Sequence, residues 1–189
     1  MILAVRLKKL LLVLGILVIL LVVFRGFIYR SLIHYESIGV RSEIRITNST
    51  LIEVITKRSQ NEEITVRNIV TIADQITQET LEFTTNRASK NPNDLRTQKA
   101  NCVGYSAMFN AVANYLIRKH GLQNEVQATH NIGQLYFLGT NLHQYFENSF
   151  FKDHDFNTIT NTKSGEKVLI DPTVSDYLWI KQITARPQS

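Results

Sequence analysis

"KANCVGYSAMFNAVANYLI", Lys99 to Ile117, carries the only cysteine of the chain, Cys102, where a polar stretch gives way to helical periodicity. Met108, Ala111, Val112, Tyr115 and Leu116 fall three and four residues apart, which puts them on one helix face, and Lys119, His120 and Gly121 supply a stop signal. Cys102 is therefore expected in the first turn of a helix or at its cap. There the unpaired N–H groups and the positive end of the helix dipole favour thiolate, the nucleophilic form, over thiol. A lone cysteine is more often a small buried apolar residue, so its meaning depends on the rest of the chain.

Past Gly121 the pattern changes to short runs rich in β-branched and aromatic residues: Glu125–Thr129, Gln134–Gly139, Asp155–Asn161 and Glu166–Asp171. Ser164-Gly165 makes a turn between the last two, which predicts a hairpin. Upstream, Ile52, Ile55, Ile69, Ile72, Ala73, Ile76 and Leu81 suit one or two amphipathic helices over Leu51–Phe83. Asn48-Ser49-Thr50 is a start signal for them, and "KRSQNEE" is a break. Thr84–Lys99, rich in Asn, Thr, Ser and Arg, reads as a surface loop. Helices followed by an antiparallel sheet are the α+β order of elements, and 189 residues fit one domain of that kind. No internal repeat or low-complexity tract interrupts it.

The N-terminal end is different. "LLLVLGILVILLVVF", Leu10–Phe24, contains no charged or strongly polar residue and is flanked by Arg6, Lys8, Lys9, Arg25 and Arg30. Extended through Tyr29, with Arg25 snorkelling, it approaches the roughly 30 Å hydrocarbon core of a bilayer. Residues 1–33 are thus expected to form an anchor with a transmembrane helix over about residues 10–29, and 34–189 the folded domain, with Ser31–Thr47 read as a stalk at its start. A cleaved signal peptide is the rival reading, but "FRGFIYRSLIHY" lacks the small-residue exit such a site needs. The bias of Arg6, Lys8 and Lys9 orients the C-terminal part away from the cytoplasm. Five of the 21 Lys and Arg residues, and none of the 16 Asp and Glu, lie in residues 1–33. The remainder carries no net charge, which removes the case for a nucleic-acid surface.

A nucleophilic thiol needs a base, and the base needs an orienting partner. Among the histidines, His34 falls in the stalk and His120 at a helix end, while His130 and His143 have no carboxylate placed at a strand end. His154 begins a strand and Asp171 closes the next strand of the same hairpin, where adjacent strands bring such residues together. Gln98 and Asn101 are the amides available to an oxyanion hole beside the Cys102 N–H. Asp153 and Asp155 read as solvated strand-edge charges, Tyr105 and Tyr136 as core packing, and Trp179 as packing the C-terminal segment onto the sheet. The Asn48 sequon reads as incidental. His and Cys show no metal-ligand spacing and no cofactor motif is present.

"NCVGYSAMFNAVANYLIRKHGL", "HDFNTI" and "KVLIDPT", taken together, resemble the transglutaminase-like superfamily, a branch of the papain-like cysteine fold. The resemblance covers about Asn101 to Thr173, less than half the chain. It implies Cys102 as nucleophile, His154 as base and Asp171 as orienting carboxylate, with acyl transfer or amide hydrolysis on a protein or peptide substrate and no cofactor. Asn101, where the family often has Gly, and Phe156, where it often has Trp, depart from the pattern and bear on the acyl pocket. The alternative is a catalytically inactive binding or scaffold module at the membrane; His130 or His143 as base is a further one.

Overall fold

The computed structural model describes residues 2–85, 89–148 and 151–187. It is α+β, with an antiparallel sheet and helices. In chain order the helices are α1 (Ile2–Val23), α2 (Arg25–Leu32), α3 (Ser49–Ser59), α4 (Val66–Thr80), α5 (Cys102–Lys119) and α6 (Pro172–Leu178). The strands are β1 (Ile33–Val40), β2 (Glu82–Phe83), β3 (Lys99–Ala100), β4 (Val126–Phe137), β5 (Thr140–Asn141), β6 (His154–Asn161) and β7 (Lys167–Ile170). The main sheet runs β1-β4-β6-β7 with β5 added to the end of β4, and β2 pairs with β3 in a separate parallel ribbon.

Side-chain oxygens start each helix of the core. Asn48 accepts from the Leu51 N–H at 3.0 Å, Thr65 from Asn68 at 3.2 Å and Asn101 from Gly104 at 3.3 Å, satisfying donors the helix cannot. The expected break in Leu51–Phe83 falls between α3 and α4. Because Asn48 caps α3 and donates its amide to Asn93 O, its sequon is occupied by structure. Leu51 and Ile55 of α3, Ile69, Ile72 and Ile76 of α4, and Met108, Phe109, Val112 and Leu116 of α5 pack on Ile159 and Ile170 of the sheet. Each such side chain contributes about 1.5–3 kcal/mol of transfer free energy. A second, smaller cluster of Tyr35, Phe156 and Ile183 covers the opposite face. Alternate residues of β6 therefore point to different places: Asn157 and Ile159 toward α5, His154 and Phe156 toward Tyr35.

The structure differs from the sequence reading in several elements. Ile33–Val40, read as stalk, is a strand of the sheet, paired with β4 from Ile33↔Phe137 to Val40↔Asn131. The runs at 125–129 and 134–139 are one 12-residue strand, because His130, Asn131 and Gly133 continue the pairing with β6. The β6–β7 hairpin forms as expected, turning at Gly165 with φ +75°. The loop over Thr84–Lys99 is irregular apart from Lys99 and a bridge at Ser89, and its residues 86–88 lie outside the described ones. Tyr105 packs in the core, but Tyr136 is half-buried and lies under the Arg186 guanidinium, 4.0 Å away. Trp179 does not pack on the sheet; it is 66% exposed, and Ile180 and Ile183 fill that place.

At the N-terminal end the apolar block forms α1 and then turns by 68° into α2. Among the described residues no single helix is long and apolar enough to cross a membrane; Lys9–Val23 and Arg25–Leu32 reach the length and composition of a span only when the bent pair is taken together.

Candidate active site

Cys102 is the first residue of α5, and its neighbours fix that helix start. A Cβ on Gly104 would stand 2.1 Å from the Ser89 carbonyl oxygen and 2.7 Å from Ala100 Cβ, so only glycine lets the loop close over the first turn. The thiol is buried and faces a cleft of about 350 Å³. Phe83, Phe146, Phe151, Val174, Tyr177 and Leu178 form its apolar walls, and Cys102, His143, Asp153, His154 and Thr173 its polar lining.

His154 reaches this cleft from the first position of β6. Its Nε2 lies 2.6 Å from Asp171 Oδ2, which leaves Nδ1 as the second ring nitrogen. Asp171 ends the hairpin one residue past β7, as the N-cap of α6. Its Oδ1 accepts from the Thr173 and Val174 N–H groups at 3.0 and 3.2 Å, and Pro172 in the first helical position removes an orphan donor. Its Oδ2 also accepts from the Tyr35 hydroxyl at 2.8 Å, and Tyr35 in turn shares a 2.6 Å hydrogen bond with Tyr29 of α2. The carboxylate is fully buried and held by four donors, so it can orient the imidazole without being free to move.

The electrostatics follow from burial and these partners. Burial disfavours the charged imidazole of His154, but the Asp171 charge, its hydrogen bond and the adjacent Cys102 outweigh it and hold the group well above the usual histidine range. Burial likewise pushes Asp171 up, and the charge and hydrogen bond of His154 with the Tyr35 bond hold it below the usual carboxylate range. Tyr35 is raised well above its ordinary value by burial and then by the Asp171 charge, so it remains a neutral donor.

The structure thus brings Cys102, His154 and Asp171 together. Asn101 precedes Cys102 as the cap of α5, its side-chain Oδ1 accepting from the Gly104 N–H. Gln98 is exposed, at φ +49°, and does not line the cleft. His143 lines the cleft with Nδ1 on the Phe151 carbonyl at 2.7 Å, and its buried Nε2 has no partner among the described residues. His130 is elsewhere, bound through Nε2 to Asp155 Oδ2 at 2.7 Å. Asp155 corrects an expectation: it is buried, not solvated, and Arg41 Nε and Nη2 grip it at 2.5 and 2.9 Å. Burial would raise Asp155, but His130 and Arg41 hold it below the usual range. Sequence reasoning missed Tyr35 and Arg41, which act across 136 and 114 positions and leave no local pattern, and Tyr29, which reaches the site only through Tyr35. The groove of about 530 Å³ between β1 and the C-terminal segment, which Tyr35 also lines, has neither cysteine nor histidine in its lining. Among the described residues no group of His, Cys, Asp and Glu could hold a metal ion.

No known family, curated protein or solved structure matches this chain.

Proposed function

We propose that this chain is a thiol-dependent acyl transferase or amidase of the transglutaminase-like kind, carried on the membrane by α1 and α2. The observation that carries the reading is the 2.6 Å His154–Asp171 bond, with its imidazole on the same cleft as a cysteine that opens an 18-residue helix.

In the proposed reaction His154 takes the Cys102 proton and the sulfur attacks the carbonyl carbon of an amide or ester. The oxyanion that forms meets the Cys102 N–H at the start of α5. The tetrahedral centre collapses as the C–N or C–O bond breaks, and His154 returns its proton to the leaving group. The thioester left on Cys102 is then attacked by water, or by an amine, with His154 again taking the proton of the attacking group and protonating the departing thiolate. Asp171 keeps one tautomer and one ring orientation throughout. The apolar walls suit a protein or peptide donor presenting an apolar segment.

The test is a pair of assays on the full chain in detergent or vesicles: release of amine from N-acyl donors, and incorporation of a fluorescent primary amine into an acceptor protein. Turnover in either, lost in Cys102→Ser and in His154→Ala, is the expected result. Stoichiometric binding of a peptide with no turnover, unchanged in Cys102→Ser, would favour the scaffold reading instead.

A further inference from the structure

We infer that the mouth of the Cys102 cleft lies in the bilayer interface, so that the protein draws its acyl donors from the membrane surface rather than from solution. This rests on the anchor reading above.

The large apolar side chains of α1 from Leu10 to Val23, and Phe24 after it, are all exposed, so that helix needs an apolar medium around it. No flexible linker separates it from the domain. α2 turns away from α1 and stays docked, with Tyr29 packed against Tyr35 and Phe156. At the bend Arg25 Nε donates to the Leu178 carbonyl at 2.8 Å, and its guanidinium stands 5.5 Å from the Trp179 ring centroid. The exit of the apolar helix is therefore fastened to the C-terminal end of α6, and α6 is a wall of the cleft through Thr173, Val174, Tyr177 and Leu178.

The surface at that junction has the composition of an interface. Trp179 is 66% exposed next to exposed Tyr177 and Leu178 at the end of α6, and Phe27 of α2, two residues past Arg25, is equally exposed. Trp179 sits at φ +53°, a left-handed conformation disfavoured for a bulky side chain. Aromatic rings with one polar edge gather at headgroup level, and arginines such as Arg25 and Arg30 meet anionic lipid there. The occupant of this rim is lipid and not a second protein, because the exposed apolar run of α1 ends at Phe24, next to the arginine that is bonded to the rim.

Trp179 is the only tryptophan, so it reports its own depth. The full chain is reconstituted into phosphatidylcholine–phosphatidylglycerol vesicles whose acyl chains are unbrominated, brominated near the carbonyl, or brominated near the chain end. Strong quenching by the shallow bromines and weaker quenching by the deep ones is the expected result. A chain that resists carbonate extraction but fluoresces equally in all three vesicles overturns this inference and leaves the anchor standing. A chain released by carbonate overturns both.

Discussion

Two histidine–aspartate pairs of nearly equal length stand on β6 and its neighbours, and they differ in what surrounds them. His154–Asp171 is 2.6 Å long and His130–Asp155 is 2.7 Å. His154 and Asp155 are adjacent in sequence, so the alternation of the strand sends them to opposite faces. The His154 side chain keeps 22% of its surface exposed and shares a cleft with Cys102. The His130 side chain keeps 4%, and its aspartate is also gripped by Arg41. A carboxylate–imidazole pair is thus no sign of catalysis by itself; access and a thiol on the same cleft distinguish the first pair from the second. The second pair fastens the sheet, tying the end of β1 through Arg41 to β4 and β6.

The largest expected effect is on stability. Arg41→Met leaves the buried Asp155 with one partner and is expected to cost about 3 kcal/mol in urea denaturation. His154→Ala should cost less, because Asp171 retains the Tyr35 hydroxyl and two backbone donors. Equal losses would erase the distinction between the pairs. Next, the start of α5 is what gives only one pair a thiol on its cleft. Gly104→Ala forces Ser89 and Ala100 away from it and is expected to cost about 1–3 kcal/mol, with slower thiol modification in the surviving fold. Tyr35→Phe keeps the ring packing, removes one donor from Asp171 and should cost about 1 kcal/mol in urea denaturation.

The smallest effect is in acid. Asp155 and Asp171 both have folded values below the usual carboxylate range. A depressed group stabilises the fold above its unfolded value, about 3.9 for Asp, and that contribution is lost as pH falls through the lower folded value. Stability should therefore drop below about pH 4. The drop should be shallower in Asp155→Asn, whose side chain no longer titrates, as followed by thermal melts across acidic pH. His154 has the opposite sign: its raised value contributes below about 6.5 and the contribution fades as pH rises through the folded value.

The α+β order, the split of α3 from α4, the cap before Cys102 and the β6–β7 hairpin were legible because each rests on residues close in sequence. The His154–Asp171 pairing followed from that hairpin. β1 was not legible: only Tyr35 of its eight residues is buried, so the strand lacks an alternating apolar face and follows an apolar block that draws the eye. β4 read as two strands because His130 and Asn131 are polar. Both are buried and satisfied, by Asp155 and by Thr158, which no local rule predicts. Asp155 read as solvated for the same reason, its Arg41 partner lying 114 positions away. Trp179 read as core because tryptophan is large and apolar, whereas its helix end and Arg25 hold it at the surface.

The most direct measurement is the rate at which iodoacetamide alkylates Cys102 at mildly acidic pH in the wild type, His154→Ala and His130→Gln. With His154 as the partner of the thiol, His154→Ala should slow the reaction roughly tenfold or more and His130→Gln should leave it unchanged. Equal rates in the wild type and His154→Ala, or a loss confined to His130→Gln, would contradict the assignment of Cys102, His154 and Asp171 as one catalytic unit.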